Sequence, residues 1–322
     1  MSTSIAADPG PEISVVPEGD STIARSQRQL LWARLKRDKV ALVSLVVLVL
    51  LIIAAIAAPL IVDVLGLPGP NVQDGAALDS FGQATGPAGV HPLGVDGLGR
   101  DIASRVIYGA RVSLEVAFIS TAISVVLGTL LGLLAGYFRG WVDAAISRFT
   151  DVLLSFPILM LGIGLASACA IGKGCFGGAL KPGIPVVILI IAVSGLPVIT
   201  RIVRGQALSL REKEFVEAAR AVGAGHRRIM LWHLLPNLIA PIVVYTTVLV
   251  PQNILFEASL SFLGVGVQPP TASWGQMLGD AASDPTQWWY MLFPGLALLI
   301  TVLAFNLLGD GLQDALNPRK RK

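Results

Sequence analysis

The run VALVSLVVLVLLIIAAIAAPLIV, residues 40–62, contains no charged side chain. At ~1.5 Å of rise per residue, a helix of about 20 residues crosses the ~30 Å hydrocarbon layer of a bilayer. That layer offers no water to backbone N–H and C=O groups, so an isolated segment survives there only as a helix. Five further apolar stretches follow at 112–138, 146–171, 184–203, 234–257 and 290–308. Charged residues make up 14% of the chain, against about 25% in a soluble domain. The expected fold class is therefore an all-α integral membrane protein with six transmembrane helices.

The first run begins too late and is too long for an ordinary secretory leader, although AAIAAP at its end resembles a cleavage site, and it reads as a retained anchor. Residues 1–39 form an N-terminal tail with a Pro/Gly/acidic start and a basic second half, where Leu31, Trp32 and Leu35 fall near one helical face. That half is either a short helix lying on membrane lipid or a plain charge cluster that sets orientation. Residues 63–111 form an external loop, 112–311 a five-helix core with a charged insert at 204–236, and 312–322 a basic tail. With the N-terminus inside, nineteen Lys and Arg fall on the cytoplasmic side and five outside, so both termini are expected in the cytoplasm.

The insert carries eight charged side chains between Arg211 and Arg228, which an insertion cost of roughly 2.5–3.5 kcal/mol each keeps out of the bilayer. Phe215, Ala218, Ala219 and Val222 repeat at i, i+3, i+4 and i+7, an apolar stripe on one helical face. Gly223 and Gly225 then break the helix, and Ile229, Trp232 and Leu235 begin a second one that leads to Pro236. By periodicity alone this helical hairpin either receives a partner or rests on the membrane.

The segment EAARAVGAGHRRIMLWHLLP resembles the EAA loop of ABC importer permeases, with Glu217, Ala218, Ala219, Gly223, Leu235 and Pro236 in register. His233 stands where the general pattern has Ile, as is common in the peptide-importer branch. HPLGVDGLGRDIASRVIYGARVSL, SFLGVGVQPPTASWGQML and NLLGDGLQDALNPR resemble, in order, segments of the C-type permease subunit of dipeptide, oligopeptide and nickel importers. The resemblance implies a type I ABC importer permease fold in a bacterial cell membrane, forming half of a peptide translocation pathway. It implies as partners a B-type permease, cytoplasmic ATP-binding subunits and an extracytoplasmic substrate-binding protein, with no role for nucleic acid. Glu217, Ala218, Ala219, Gly223, His233, Leu235 and Pro236 would then form the ATPase-coupling element. Nickel or glutathione is the alternative cargo, and a secondary transporter is the alternative class.

No G-x-x-x-x-G-K-[ST] phosphate loop occurs, and the three histidines, His91, His226 and His233, lack the spacing of a catalytic metal site. The subunit is therefore expected to be non-catalytic and without cofactor or metal, with ATP and Mg²⁺ held by partner ATPase subunits. Pro157, Pro197, Pro241, Pro251 and Pro294 interrupt the spans and stand as hinges or as ordinary membrane prolines. Gly128, Gly132 and Gly136 recur every four residues, a pattern that lets helices touch closely. Asn253 and Glu257 share one face of the fifth span and are expected either to line the substrate pathway or, for Glu257, to cap contacts between helices. Cys169 and Cys175 flank a short external segment where oxidation is permitted, so either they pair as a disulfide or they stay free with Cys169 inside the span.

Overall fold

The computed structural model describes residue 36, residues 38–170, 175, 178 and 183–316. The basic segment around Trp32 and the basic C-terminal tail lie outside the described residues. Helix α1, Lys39–Ile56, is followed after a one-residue break by α2, Ala58–Val64. The long helix α3, Ile102–Phe138, leads to α4, Gly140–Ser155, and α5, Ile158–Ala170. Helix α6, Ile184–Arg211, runs into the short α7, Glu214–Ala221. Then come α8, His226–Phe262, whose turn Ile229–Leu234 is π-helical, α9, Trp274–Ala281, and α10, Trp288–Leu316. Isolated β-bridges occur in the segment 73–101.

Helices α1, α3, α6, α8 and α10 are long and apolar enough to cross a membrane. The third expected span is not one helix: α4 and α5 meet at an 85° bend. Phe156 is extended (φ −85°, ψ 133°), the conformation forced on a residue before proline, and Pro157 has no N–H to continue the ladder. Of the five interrupting prolines, Pro157 alone sits at such a break. Helices α6, α8 and α10 run through Pro197, Pro241, Pro251 and Pro294 as continuous elements. Helix α3 also begins ten residues before the expected start at 112, because Asp101 caps it by accepting the Ser104 N–H at 2.7 Å.

The centre of the bundle is the packing of α3 on α6. A Cβ added at Gly128 would lie 2.8 Å from Ile199 Cβ, one at Gly132 2.6 Å from the Thr200 carbonyl oxygen, and one at Gly136 2.6 Å from Ala207 Cβ. The glycine face therefore brings the two backbones into contact over three turns, the use expected of small residues where no hydrophobic effect drives helices together. Ser124 reinforces the seam by donating to the Ala192 carbonyl at 2.8 Å.

Replacing Gly132 with valine should lower the thermal midpoint of the detergent-solubilised protein by roughly 5 °C, the scale of ~1–3 kcal/mol of overpacking. Gly164→Val, in α5 where an added Cβ meets open space, is the control and should change it little. Equal shifts would show that the seam is not closely packed.

Candidate functional site

The hairpin grows directly from the α3–α6 seam. Tyr137, one residue past the last seam glycine, is buried, and its hydroxyl lies 2.7 Å from His226 Nδ1 at the start of α8. Its carbonyl accepts from Arg211 Nη1 at 2.5 Å at the end of α6, and the Arg220 guanidinium sits 5.8 Å from its ring centre. Arg139 pairs with Glu212, and Arg204 with Asp143. One tyrosine thus holds the entry, the helix and the exit of the hairpin, the first through its backbone carbonyl and the others through its side chain. Its position at the end of the glycine repeat was the available signal, and sequence reasoning passed over it.

Helix α7 ends in a Schellman turn: Ala224 N–H donates to Ala219 O and Gly223 N–H to Arg220 O, both at 2.9 Å. Gly223 takes φ +81°, the left-handed conformation that such a turn requires of its first residue past the cap. Across α7 the expected stripe divides. Val216 and Ala219 face inward and share a core with Val203, Ala207, Ile229 and Leu234, while Phe215, Ala218 and Val222 are exposed, Val222 by 84%. Ala219 therefore does not belong to the outward face assigned to it. At 100° per residue it lies toward Val216, and the packing beneath captures that edge. Glu217 is exposed beside Ala218. Further along, His233 and Leu235 are half-buried and Pro236 is exposed. Ile229–Leu234 widens into a π-turn just before Pro236, which has no N–H to donate, and Asn237 Nδ2 donates to the His233 carbonyl at 2.7 Å. No separate second helix forms, since His226 to Phe262 is continuous.

Glu257 lies within the helix packing of this chain. It is 0% exposed and accepts from Ser113 Oγ at 2.9 Å and Ser261 Oγ at 2.7 Å. Those hydroxyl oxygens in turn accept the backbone N–H of Trp274 at 3.3 Å and of Val267 at 3.0 Å. The carboxyl group is the meeting point of α3, α8 and the loop to α9, the contact-capping alternative for this residue. Asn253 is also buried, with Nδ2 donating to Thr121 Oγ1 at 2.8 Å, but it borders a groove of ≈ 320 Å³ between α5, α6 and α8. Cys169 and Cys175 are placed as a disulfide, with Cα atoms 4.6 Å apart. Asp151 pairs with Arg201 at 2.6 Å and with Arg148 at 3.9 Å.

At the end of the bundle away from the hairpin, the expected loop at 63–111 is a folded clamp. Asp96, Asp101 and Arg105 are fully buried, and Arg100 and His91 nearly so. Asp96 Oδ2 lies 2.6 Å from Arg100 Nε and 3.5 Å from Arg105 Nε. Arg105 Nη2 donates to Gln276 Oε1 at 2.9 Å, and Arg100 Nη2 lies 3.5 Å from Asp280, both on α9. His91 Nδ1 lies 2.9 Å from the helix-capping Asp101. Trp274 is buried with Nε1 donating to Val106 O at 3.0 Å, so it wedges α9 against α3 instead of anchoring in lipid. Trp289 packs on the loop at Gly86, and Trp288 remains exposed.

Residues 128–322 match the family model of the binding-protein-dependent transport system inner membrane component, and residues 26–74 match the N-terminal TM domain of oligopeptide transport permease C. The dipeptide transport system permease protein DppC of Alkalihalophilus pseudofirmus is 38% identical over 315 residues, covering 97% of this chain and 96% of the relative. The glutathione transport system permease protein GsiD of Escherichia coli O6:K15:H31 is 45% identical over 235 residues, covering 73% and 74%. In fold, the chain is similar to a solved inward-facing structure of the MetNI methionine ABC transporter, with a TM-score of 0.55 at 21% identity, covering 67% of this chain and 98% of that one.

Asp96→Asn leaves two buried guanidinium groups facing a neutral amide, and breaking a buried pair from one side costs about 3–5 kcal/mol. It should lower the thermal midpoint by roughly 10 °C, whereas Asp63→Asn at an exposed position should leave it unchanged. Detergent-phase thermal unfolding reads both, and a tolerated Asp96→Asn would mean that the clamp is held by packing alone.

Proposed function

The chain belongs to the family of binding-protein-dependent transport system inner membrane components and is a multi-pass permease subunit of an ABC transporter; from that premise we propose that its hairpin is the handle by which a cytoplasmic ATPase drives import of short peptides. The family works with a partner permease, an ATP-binding subunit and a substrate-binding protein. Here the partner permease is of the B type, and ATP and Mg²⁺ reside on the ATP-binding subunits. The hairpin end and both termini lie in the cytoplasm, a placement supported by the excess of Lys and Arg on that side.

One observation carries the reading. The outer face of α7 presents Phe215, Ala218 and Val222 to solvent beside Glu214, Glu217 and Arg220, while the inner face is fixed in the same core as α6 and α8. An apolar patch rimmed by charge, on a helix that cannot bend away, suits a protein partner. A push on it reaches two spans at once. Within this reading, Gly223 sets the turn, Ala218 allows close seating, Glu217 supplies rim polarity, and Ala219 acts from behind by locking the helix to the core. His233, Leu235 and Pro236 carry the movement into α8. Peptide cargo is supported by the two relatives, whose names specify a dipeptide and glutathione.

Val222→Asp and Glu217→Arg alter the outer face and spare the core, and Gly223→Pro removes both the left-handed turn and its N–H. Each should abolish copurification of the ATPase subunit and reduce ATP-driven peptide uptake at least tenfold, with the thermal midpoint of the two outer-face variants unchanged. Uptake assays with defined dipeptides, tripeptides, glutathione and nickel then assign the cargo. Retention of the ATPase and of full uptake by Val222→Asp and Glu217→Arg would refute the coupling role.

A further inference from the structure

The groove between α5, α6 and α8 lies in the plane of the membrane, since Ser194 falls at the midpoint of the apolar part of α6. Beside it α8 exposes one continuous stripe, Tyr245, Val248, Gln252 and Leu255, at spacings of three and four residues, with Ser259 half-buried at its end. Gln252 is exposed within this apolar helix and makes no hydrogen bond to a described residue. A primary amide turned to hydrocarbon costs several kcal/mol, so this face meets water, polar cargo or the partner permease, not lipid chains.

The chemistry of the lining is specific in what it offers. Ser194 and Ser259 spend their hydroxyl protons on their own helices, donating to Ile191 O at 2.8 Å and Leu255 O at 2.7 Å, which leaves oxygen lone pairs free to accept. Asn253 uses Nδ2 on Thr121, leaving Oδ1 as a further acceptor. Gln252 brings an acceptor and two donors. The described lining contains neither an ionisable side chain nor a thiol, so it supplies neither a counter-charge nor an imidazole or thiolate ligand for a metal such as nickel. Groups that accept N–H and donate to C=O, set among Val198, Leu249 and Phe256, match a peptide main chain flanked by side chains of any kind.

We propose that Gln252, with Ser194, Asn253 and Ser259, forms an uncharged contact that holds the main-chain amides of a peptide as it crosses, with Gln252 as the principal reader. The assignment rests on the reading of the chain as a peptide permease and names the substrate chemistry of its pathway.

The test uses the importer with its copurifying subunits and binding protein in proteoliposomes, with radiolabelled dialanine. Gln252→Leu should lower peptide carried per ATP hydrolysed about tenfold, the worth of ~1.4 kcal/mol. Wild type should discriminate against dialanine methylated on its peptide nitrogen, and Gln252→Leu should not. The thiol of Gln252→Cys should react with a membrane-impermeant methanethiosulfonate and be protected by dialanine. The native cysteines are paired and do not compete. If wild type carries dialanine but Gln252→Leu carries it equally well, or if the Gln252→Cys thiol is inert or crosslinks to the partner permease, the stripe is a subunit seam and the proposal fails. If wild type hydrolyses ATP with its partners and carries no peptide, the cargo reading itself falls.

Discussion

The rest of the structure depends on the contact of two backbones. Where Gly132 meets the Thr200 carbonyl and Gly136 meets Ala207, α3 and α6 lie closer than any side chain would allow. Dispersion between helices falls steeply with separation, and lipid tails compete for every looser contact, so intimate packing of this kind is what distinguishes a specific helix pair from a transient one. The last turn of the seam delivers Tyr137 to the mouth of the hairpin, where its carbonyl and hydroxyl meet Arg211 and His226. The position of the functional surface thus follows from glycines a few turns away.

Polar groups packed between the helices are answered in linked sets, with Thr129 Oγ1 an exception. Glu257 takes two serine hydroxyls, each of which takes a backbone N–H from the loop that leads to α9. The Asp96, Arg100 and Arg105 group does the same with charges at the opposite end from the hairpin. Removing one member of such a set strands the others in a medium that solvates them poorly. The loop over that end is accordingly a rigid platform, and Gln252 stands out because it has no such partner.

How much of this could be read in advance depended on the range of the interaction. The long apolar runs, the glycine repeat and the left-handed Gly223 are local in origin, and each appears as expected. The break at Pro157 followed from a rule about its own neighbour, Phe156, but an apolar run of sufficient length concealed it. On α7 the stripe was legible, yet which edge would be buried was decided by Leu234 and Ile229, and so Ala219 turned inward. Glu257 and Asn253 were correctly placed on one face of α8, but Ser113 and Thr121, far back in the chain, determined what that face meets. The clamp was missed for the same reason: Asp96 and Arg100 look like loop charges until Gln276 and Asp280 arrive from the other end of the sequence.

Because Val216 and Ala219 are embedded in one core with Val203 and Leu234, the hairpin has no compliance of its own. Displacement at Phe215 is not absorbed locally, and α6 and α8 must swing together, as the two webs of a crank turn with its pin. Under the proposed coupling, timing resides in the motor that grips the pin, and fidelity of the stroke resides in the stiffness of a joint eight residues long.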